Sequence, residues 1–219
     1  MNIFVKGGAW LLGIFGLLLA VNRMGLIAAE KFDTFFDLRY LNSQSEIIIH
    51  CVLGIVYLCA APVLFSDKFR KKYLAWHRNI GKIALISGLF LGLNALLLQF
   101  TLSTEAIMAV HGVLMSILFL VSLVMALVSI RRKKIVAHQI WMIRAFANAL
   151  GASAGVRLFT FFAFGAFTDL SIIQQTDITG PDRTIVLLIM FFSSWLGSLI
   201  PMLSAEIYIA RKLPWRTSK

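Results

Sequence analysis

Six long apolar runs alternate with short polar connections along the whole chain. The runs cover residues 8–28, 46–66, 77–100, 105–130, 138–167 and 184–210. A helix needs about 20 mostly apolar residues to cross the hydrocarbon core of a bilayer, and each run is long enough. None of the runs alternates strictly between apolar and polar residues, which is the pattern of a membrane β-barrel strand. The pattern therefore predicts an all-α fold, an integral membrane bundle of six transmembrane helices.

Charged residues in the connections predict the orientation of the bundle. Basic residues cluster at 68–72, at 131–134 and in the C-terminal tail at 211–219, whereas the other connections carry acidic residues at 33–46, 105 and 169–182. Basic connections stay on the cytoplasmic side of a bacterial-type inner (plasma) membrane, so we expect both termini in the cytoplasm. Lys6 precedes the first run and no clear cleavage site follows it, which indicates an uncleaved first helix.

Composition supports a single membrane domain over residues 1–219. Apolar residues make up 59% of the chain and the mean hydropathy is +0.85, whereas a soluble domain has roughly 45–50% apolar residues. The net charge of +11 would suggest nucleic acid as a partner of a soluble protein. Here the basic residues lie in the connections between spans, so we expect the lipid bilayer as a partner and no binding of nucleic acid. Cys51 and Cys59 share one run, and we expect both to be buried thiols.

The four histidines of the chain form an internal repeat. His111 and His138 follow His50 and His77 by the same interval of 61 residues, which predicts that residues 46–165 are two repeated helical hairpins. Each histidine lies near the start of one of the second to fifth runs, and consecutive spans run antiparallel. We therefore expect His50 and His111 together at the outer level of the membrane. His77 and His138 should meet at the inner level, roughly 20–25 Å away along the bundle.

Two histidines that face each other inside a helical bundle are suited to binding haem b. The iron takes an imidazole on each face of the flat macrocycle, and bundle cores are common places for such cofactors. The sequence therefore predicts two b-type haems in a four-helix core and electron transfer across the membrane. Basic residues at matching heights are the expected partners of the haem propionates, namely Arg157 at the outer level and Arg78, Lys82 and Arg144 at the inner level.

The six helices and the histidine pairs resemble the cytochrome b561 family of transmembrane di-haem proteins, over residues 46–165. In that family the paired histidines come from the second and fourth helices and from the third and fifth. These are the helices that carry His50 with His111 and His77 with His138 in this sequence. The resemblance implies a membrane oxidoreductase that is linked to a quinol or another reductant. It also implies a quinone, a redox partner protein or a larger membrane complex as the partner.

A second resemblance and two alternative functions accompany this interpretation. The segment HQIWMIR from His138 to Arg144, with Arg157 beyond it, resembles a bacterial family of predicted membrane proteins.

Imidazoles also suit copper or another transition metal. The same histidines can instead bond helices together in a non-catalytic membrane subunit or assembly factor. For Glu206 we expect an ion pair with a basic residue, with a proton relay to a quinone as the alternative. For the glycines at 88, 92, 151 and 155 we expect close helix packing, with room for a macrocycle as the alternative.

Overall fold

The computed structural model describes residues 3–31, 43–102, 106–168, 172 and 178–213. Within these residues the structure is helical and contains no β-strand. Its helices are α1 (Ile3–Ala28), α2 (Gln44–Leu64), α3 (Asp67–Lys72), α4 (Leu74–Leu102), α5 (Ala106–Arg131), α6 (Ile135–Leu150), α7 (Val156–Phe167) and α8 (Gly180–Lys212). A π-helix of five residues, Gly151–Gly155, joins α6 to α7 within one continuous span.

Six segments are long and apolar enough to cross a membrane: α1, α2, α4, α5, the continuous segment of α6 and α7, and α8. Many large apolar side chains on their outer surface are exposed, among them Leu11, Phe100 and Phe167 at 70%, 75% and 78%. Soluble proteins rarely expose such extensive apolar surface, whereas lipid solvates it. The prediction of an all-α bundle with six transmembrane helices is confirmed, and the protein is an integral multi-pass membrane protein.

One short helix, α3, was not predicted from the hydropathy pattern. It occupies the basic connection before α4, and its six residues are too few and too charged to form an apolar run. Ser66 caps it, with its Oγ accepting a hydrogen bond of 3.2 Å from the Phe69 N–H, because a helix start leaves N–H groups without internal partners. The predicted start of the fourth run at 105 and the charged residues at 33, 37, 169, 177, 216 and 219 lie outside the described residues.

The centre of the bundle is filled by side chains from α2, α4, α5 and α6. Tyr57 of α2 and Phe119 of α5 meet edge to face, with their ring centroids 5.4 Å apart. Gly88 of α4 makes room for this contact, because a Cβ there would lie 3.0 Å from the Tyr57 ring and from the Leu123 side chain. Leu91, Ala84 and Ala145 complete the buried cluster. A packed layer therefore lies between the two ends of the bundle.

α8 crosses the π-helical segment at very short range through glycines. A Cβ added to Gly151 would lie 2.8 Å from the Cα of Ser198, and one added to Gly155 or Gly197 would overlap the backbone of the facing helix. Small residues at such crossings let helix backbones approach closely in membranes. The predicted packing role of Gly151 and Gly155 is confirmed, and the structure shows that their partner is α8.

Both basic connections lie at the same end of the bundle, which we call the basic end. The N-terminal parts of α1, α4 and α6 and the C-terminal parts of α2, α5 and α8 line one cavity there, as an antiparallel succession of spans requires. The connection between α5 and α6 is tight. Lys133 has a φ of +59°, and the Lys134 N–H bonds to the Ser129 carbonyl at 2.9 Å, as in a Schellman motif.

Candidate functional site

A cavity of about 2020 Å³ opens at the basic end. Its walls come from all six spans and are mainly apolar. Ligand cavities in proteins commonly have volumes of about 300–1,000 Å³, so this one has room for a large flat cofactor. Four of the predicted site residues line it: His77, His138, Arg78 and Lys82. The structure thus brings the residues of the predicted inner site around one shared space.

His138 lies in the first turn of α6 with a defined ring orientation. Its Nδ1 atom is 2.9 Å from the carbonyl oxygen of Ala126 on α5. Because a carbonyl can only accept a hydrogen bond, Nδ1 carries the proton in this contact, and Nε2 is the ring nitrogen that remains for a ligand. Metal-binding histidines commonly donate their second ring N–H to a backbone oxygen in this way. The ring of His138 is therefore prepared for coordination through Nε2.

His77 lies in the first turn of α4 and is half-buried. Its Nδ1 atom is buried and has no hydrogen-bond partner within the described part of the chain. Arg70 and His138 line the same cavity as His77. A buried polar nitrogen without a partner is unfavourable, and a bound ligand or metal would satisfy it. The two inner histidines therefore line the same cavity, and each has one ring nitrogen without a hydrogen-bond partner in the described part of the chain.

Cations surround the mouth of this cavity. Arg78 and Lys82 are exposed on α4, and Arg131 at the end of α5 lines the same space. Arg70 of α3 also lines it and forms an exposed ion pair with Asp67 at 2.8 Å. An apolar interior with a positively charged rim suits an amphiphilic ligand that carries carboxylates or other anionic groups.

At the opposite end of the bundle, His50 of α2 is bonded to Asn94 of α4. His50 Nδ1 and Asn94 Oδ1 are 3.0 Å apart, so Nδ1 donates and Nε2 keeps its lone pair. Arg157 of α7 lies close enough for its charge to act on this ring. The Nη1 group of Arg157 donates to the carbonyl oxygens of Ala152 and Ser153 at 3.2 and 2.7 Å. These carbonyls belong to the π-helical turn, a feature frequently found at functional sites.

His111 of α5 is held by α8. Its Nε2 atom is 3.1 Å from the Ser198 hydroxyl. The Trp195 indole packs edge to face against it, with ring centroids 5.1 Å apart. His111 is 8% exposed and Ser198 is 0% exposed. The described hydrogen bonds of the predicted outer pair thus lead to two different helices, α4 for His50 and α8 for His111.

Arg144, the last of the predicted cofactor residues, is bound to α8 as well. Its Nε and Nη2 groups donate to the two carboxylate oxygens of Glu206 at 2.6 and 2.9 Å. The guanidinium also lies over the Trp141 ring, 4.6 Å from its centroid. A bidentate pair between an arginine and a carboxylate fixes the relative orientation of the two side chains. The predicted ion pair of Glu206 is confirmed, and Arg144 uses these two donor groups to tie α6 to α8.

Ser198 and His111 have the residue types of a nucleophile and its general base. Ser198 is fully buried, however, and neither residue lines the large cavity. The pair has no described space for a substrate and serves to tie α5 to α8. Within the described ranges, no three His, Cys, Asp or Glu side chains are grouped as a metal site. Cys51 is buried as expected, whereas the expectation was wrong for Cys59, which is exposed.

Position along the chain does not reveal which polar residues pair with the outer histidines. Asn94 and Ser198 lie 44 and 87 residues from His50 and His111, so no local spacing connects them. A polar residue inside an apolar span is itself a signal, because its usual role is hydrogen bonding between helices. That signal marks Asn94 and Ser198 as bonding residues, but it does not identify the partner of either one.

A family model described as "Predicted membrane protein (DUF2306)" matches residues 47–202. The match runs from the second span into the last one and covers well over half of the chain, with all four histidines inside it. No curated protein and no solved structure matched the chain. The resemblance to a family of predicted membrane proteins is thereby confirmed. The chain belongs to this family of predicted membrane proteins, DUF2306.

Proposed function

We propose that this protein is a b-type cytochrome of the cytochrome b561 kind, which transfers electrons across the membrane. One observation carries the proposal. His77 of α4 and His138 of α6 line the same large cavity, and each has a ring nitrogen that no described residue engages. A haem b between these two helices would be held by one imidazole nitrogen of each histidine and would fill apolar space that is otherwise open.

The residues at the basic end fit a haem. The apolar walls could surround a macrocycle, and the His77 and His138 imidazoles would hold its iron. Arg78 and Lys82 at the mouth are the expected partners of its propionates. The bound haem supplies a reversible one-electron couple. The protein would contribute the imidazoles that hold the haem, the ring orientation that Ala126 imposes on His138, and mainly apolar walls.

A complete transmembrane path would need a second haem, for which the sequence offers His50 and His111. In the described conformation this pair does not fit a macrocycle, because His111 Nε2 is bonded to Ser198 and the ring packs against Trp195. His50 is better prepared, since its bond to Asn94 uses Nδ1. The proposal therefore depends on the inner pair, which lines the cavity, whereas the His111 ring would have to leave α8 before the outer pair could bind a haem.

The orientation and the partners belong to the same proposal. The basic connections at one end favour a cytoplasmic location of that end in a bacterial-type inner membrane, with both termini in the cytoplasm. A quinol or a cytoplasmic reductant is the proposed electron donor, and the acceptor lies at the other face. The positively charged rim around Arg78, Lys82 and Arg131 is a suitable docking surface for an acidic redox partner or a larger complex.

The test is an optical spectrum of the detergent-purified protein, oxidised and then reduced with dithionite, with a pyridine haemochrome assay for stoichiometry. We expect a b-type spectrum from protein made in haem-replete cells, and the loss of one haem per chain in His77→Ala and in His138→Ala. Gln139→Ala is the matched control, because Gln139 lines the same cavity beside His138 and should not affect haem content. A colourless parent protein contradicts the function, and haem retained in both histidine variants contradicts the site.

A non-catalytic membrane subunit is the second candidate, and the outer histidines favour it. His50 and His111 each bond to another helix, through Asn94 and Ser198, as structural histidines do. In that case the protein binds no haem, and His50→Ala and His111→Ala lower only its stability. A colourless protein whose variants unfold more easily than the parent would support this candidate.

A further inference from the structure

One helical glycine, Gly81 of α4, lines the large cavity at the basic end. It lies four residues after His77, so the two residues share one face of the helix. Glycine is a poor helix former, because it loses more backbone freedom than any other residue when a helix forms. A glycine inside a helix therefore suggests that the space beside it is needed.

Helix packing does not account for Gly81. A Cβ at this position would lie 3.7 Å from the Leu64 side chain, which is an ordinary van der Waals contact. Gly92 of the same helix differs, because a Cβ there would lie 2.7 Å from the Leu120 side chain. A neighbouring side chain already occupies the space beside Gly92, whereas the space beside Gly81 belongs to the cavity.

The direction of side chains on a helix places this space beside His77. Each Cα–Cβ bond tilts toward the N-terminus of the helix, so a side chain covers the turn before its own Cα. A side chain at position 81 would therefore extend toward the turn that holds His77, inside the cavity that both residues line. The absence of a side chain on Gly81 keeps this part of the cavity open.

The residue at the corresponding place on α6 is larger. Met142 lies four residues after His138, and the interval of 61 residues that relates the histidines also relates Met142 to Gly81. Met142 lines the same cavity. The register of the repeat therefore does not require glycine at this place. The open space lies on the α4 wall of the cavity, whereas the α6 wall carries a long side chain.

We infer that Gly81 is a specificity-determining residue of the inner site, which leaves room for a flat macrocycle against α4 beside His77. The inference rests on the proposed function, because it takes the ligand of this cavity to be a porphyrin held between His77 and His138. Two imidazoles bind a bare metal ion without such a space, whereas a macrocycle extends well beyond its iron. Gly81 thus makes the inner site suited to a macrocycle rather than to a bare ion.

Two substitutions of Gly81 fill this space to different extents. Leucine is a good helix former, and its side chain is long enough to enter the cavity beside His77. Overpacking of this kind weakens binding roughly ten-fold, so we expect haemin to bind Gly81→Leu about ten-fold more weakly than the parent protein. Gly81→Ala adds only a Cβ, for which the neighbours leave room, and we expect a smaller loss of affinity.

Gly25→Leu is the matched control for the leucine variant. It adds the same side chain to another helical glycine, and no described atom lies within 4 Å of a Cβ at that position. Gly25 does not line the cavity. The control therefore reports any general effect of an added leucine on folding in the membrane.

Haemin titration of detergent-purified protein from haem-depleted cells measures these affinities through the Soret absorbance. The binding event that is lost in His138→Ala identifies the inner site. Weaker binding at that site in Gly81→Leu, together with parent-like binding in Gly25→Leu, supports the inference. Equal affinity of Gly81→Leu and the parent overturns it, and so does an equal loss in both leucine variants.

The stability of the haem-free protein separates a ligand-binding role of Gly81 from a packing role. Alanine is the better helix former, and its Cβ fits beside Leu64. Haem-free Gly81→Ala should therefore unfold no more easily than the haem-free parent in a detergent titration. A haem-free variant that is less stable than the parent overturns the inference, because the glycine then serves the fold itself.

Metal-free protoporphyrin IX probes the same space without an iron to be ligated. Its fluorescence should report binding to the parent and to His138→Ala, and about ten-fold weaker binding to Gly81→Leu. If the parent binds haem and Gly81→Leu binds haem and porphyrin equally well, the inference is refuted and the proposed function stands. If the parent is colourless from haem-replete cells but binds porphyrin, and Gly81→Leu binds it weakly, the function is refuted and the inferred shape of the site stands. A parent protein that binds neither refutes both.

Discussion

The Tyr57 hydroxyl tests how tightly the layer between the two histidine levels is packed. Tyr57 is 2% exposed, and its hydroxyl has no hydrogen-bond partner in the described part of the chain. Its ring packs edge to face against Phe119. On its other side it lies against Gly88, where the absence of a side chain leaves room for the ring. Tyr57→Phe removes the hydroxyl and keeps these ring contacts. We therefore expect the variant to be more stable than the parent protein.

The size of this gain follows from the cost of burying an unpaired polar group. That cost is about 1–3 kcal/mol, and in a membrane the lower end applies, because the unfolded, membrane-inserted chain also keeps such groups away from water. We expect the free energy of unfolding to rise by about 1 kcal/mol, or roughly five-fold in the equilibrium constant. Tyr57→Leu also lacks the hydroxyl, but it loses an aromatic pair worth about 0.5–1.5 kcal/mol. It also leaves a void beside Gly88, so we expect a net loss of about 2 kcal/mol.

Both variants are unfolded with sodium dodecyl sulfate in mixed micelles. The loss of helix is followed by circular dichroism, which gives the free energy of unfolding. The free energies of unfolding are compared at one detergent composition. A Phe variant that unfolds more easily than the parent refutes the reasoning, because the hydroxyl must then make a stabilising bond in the folded protein. Equal stability of the Phe and Leu variants refutes the tight packing of the layer.

Two further changes test the attachment of α8. Glu206→Gln should lower the free energy of unfolding by about 0.5–1 kcal/mol, because its pair with Arg144 is partly exposed and therefore screened; exchange of the two charges should restore much of the loss in the same detergent titration. Gly197→Ala should cost about 3 kcal/mol, since the added Cβ overlaps the Val156 backbone. Gly54→Ala is its control, because the nearest atom to that Cβ is 3.9 Å away, and equal losses in both variants would contradict the assigned crossing.

The sequence by itself determined the membrane bundle and the level of each histidine. Lipid admits only spans whose backbone groups are bonded internally, so each run of about 20 apolar residues must be a helix. Because consecutive spans run antiparallel, the starts of the third and fifth spans lie at the same end of the bundle. This is why His77, His138, Arg78 and Lys82 could be grouped from their positions alone, and the structure places all four around one cavity.

Only the tertiary structure decided how each helix is rotated about its axis. A membrane span is apolar on nearly every side, because both the protein core and the surrounding lipid are apolar. The periodicity of apolar residues therefore does not mark which face of the helix points inward. Sequence reasoning therefore could not choose α8 as the partner of His111 or of Arg144. The close approach of Gly155 and Gly197 decided both, since it brings Ser198 and Glu206 of α8 against α5 and α6. The helices and their levels thus followed from hydropathy and charge, whereas the hydrogen bonds of the site followed from backbone packing.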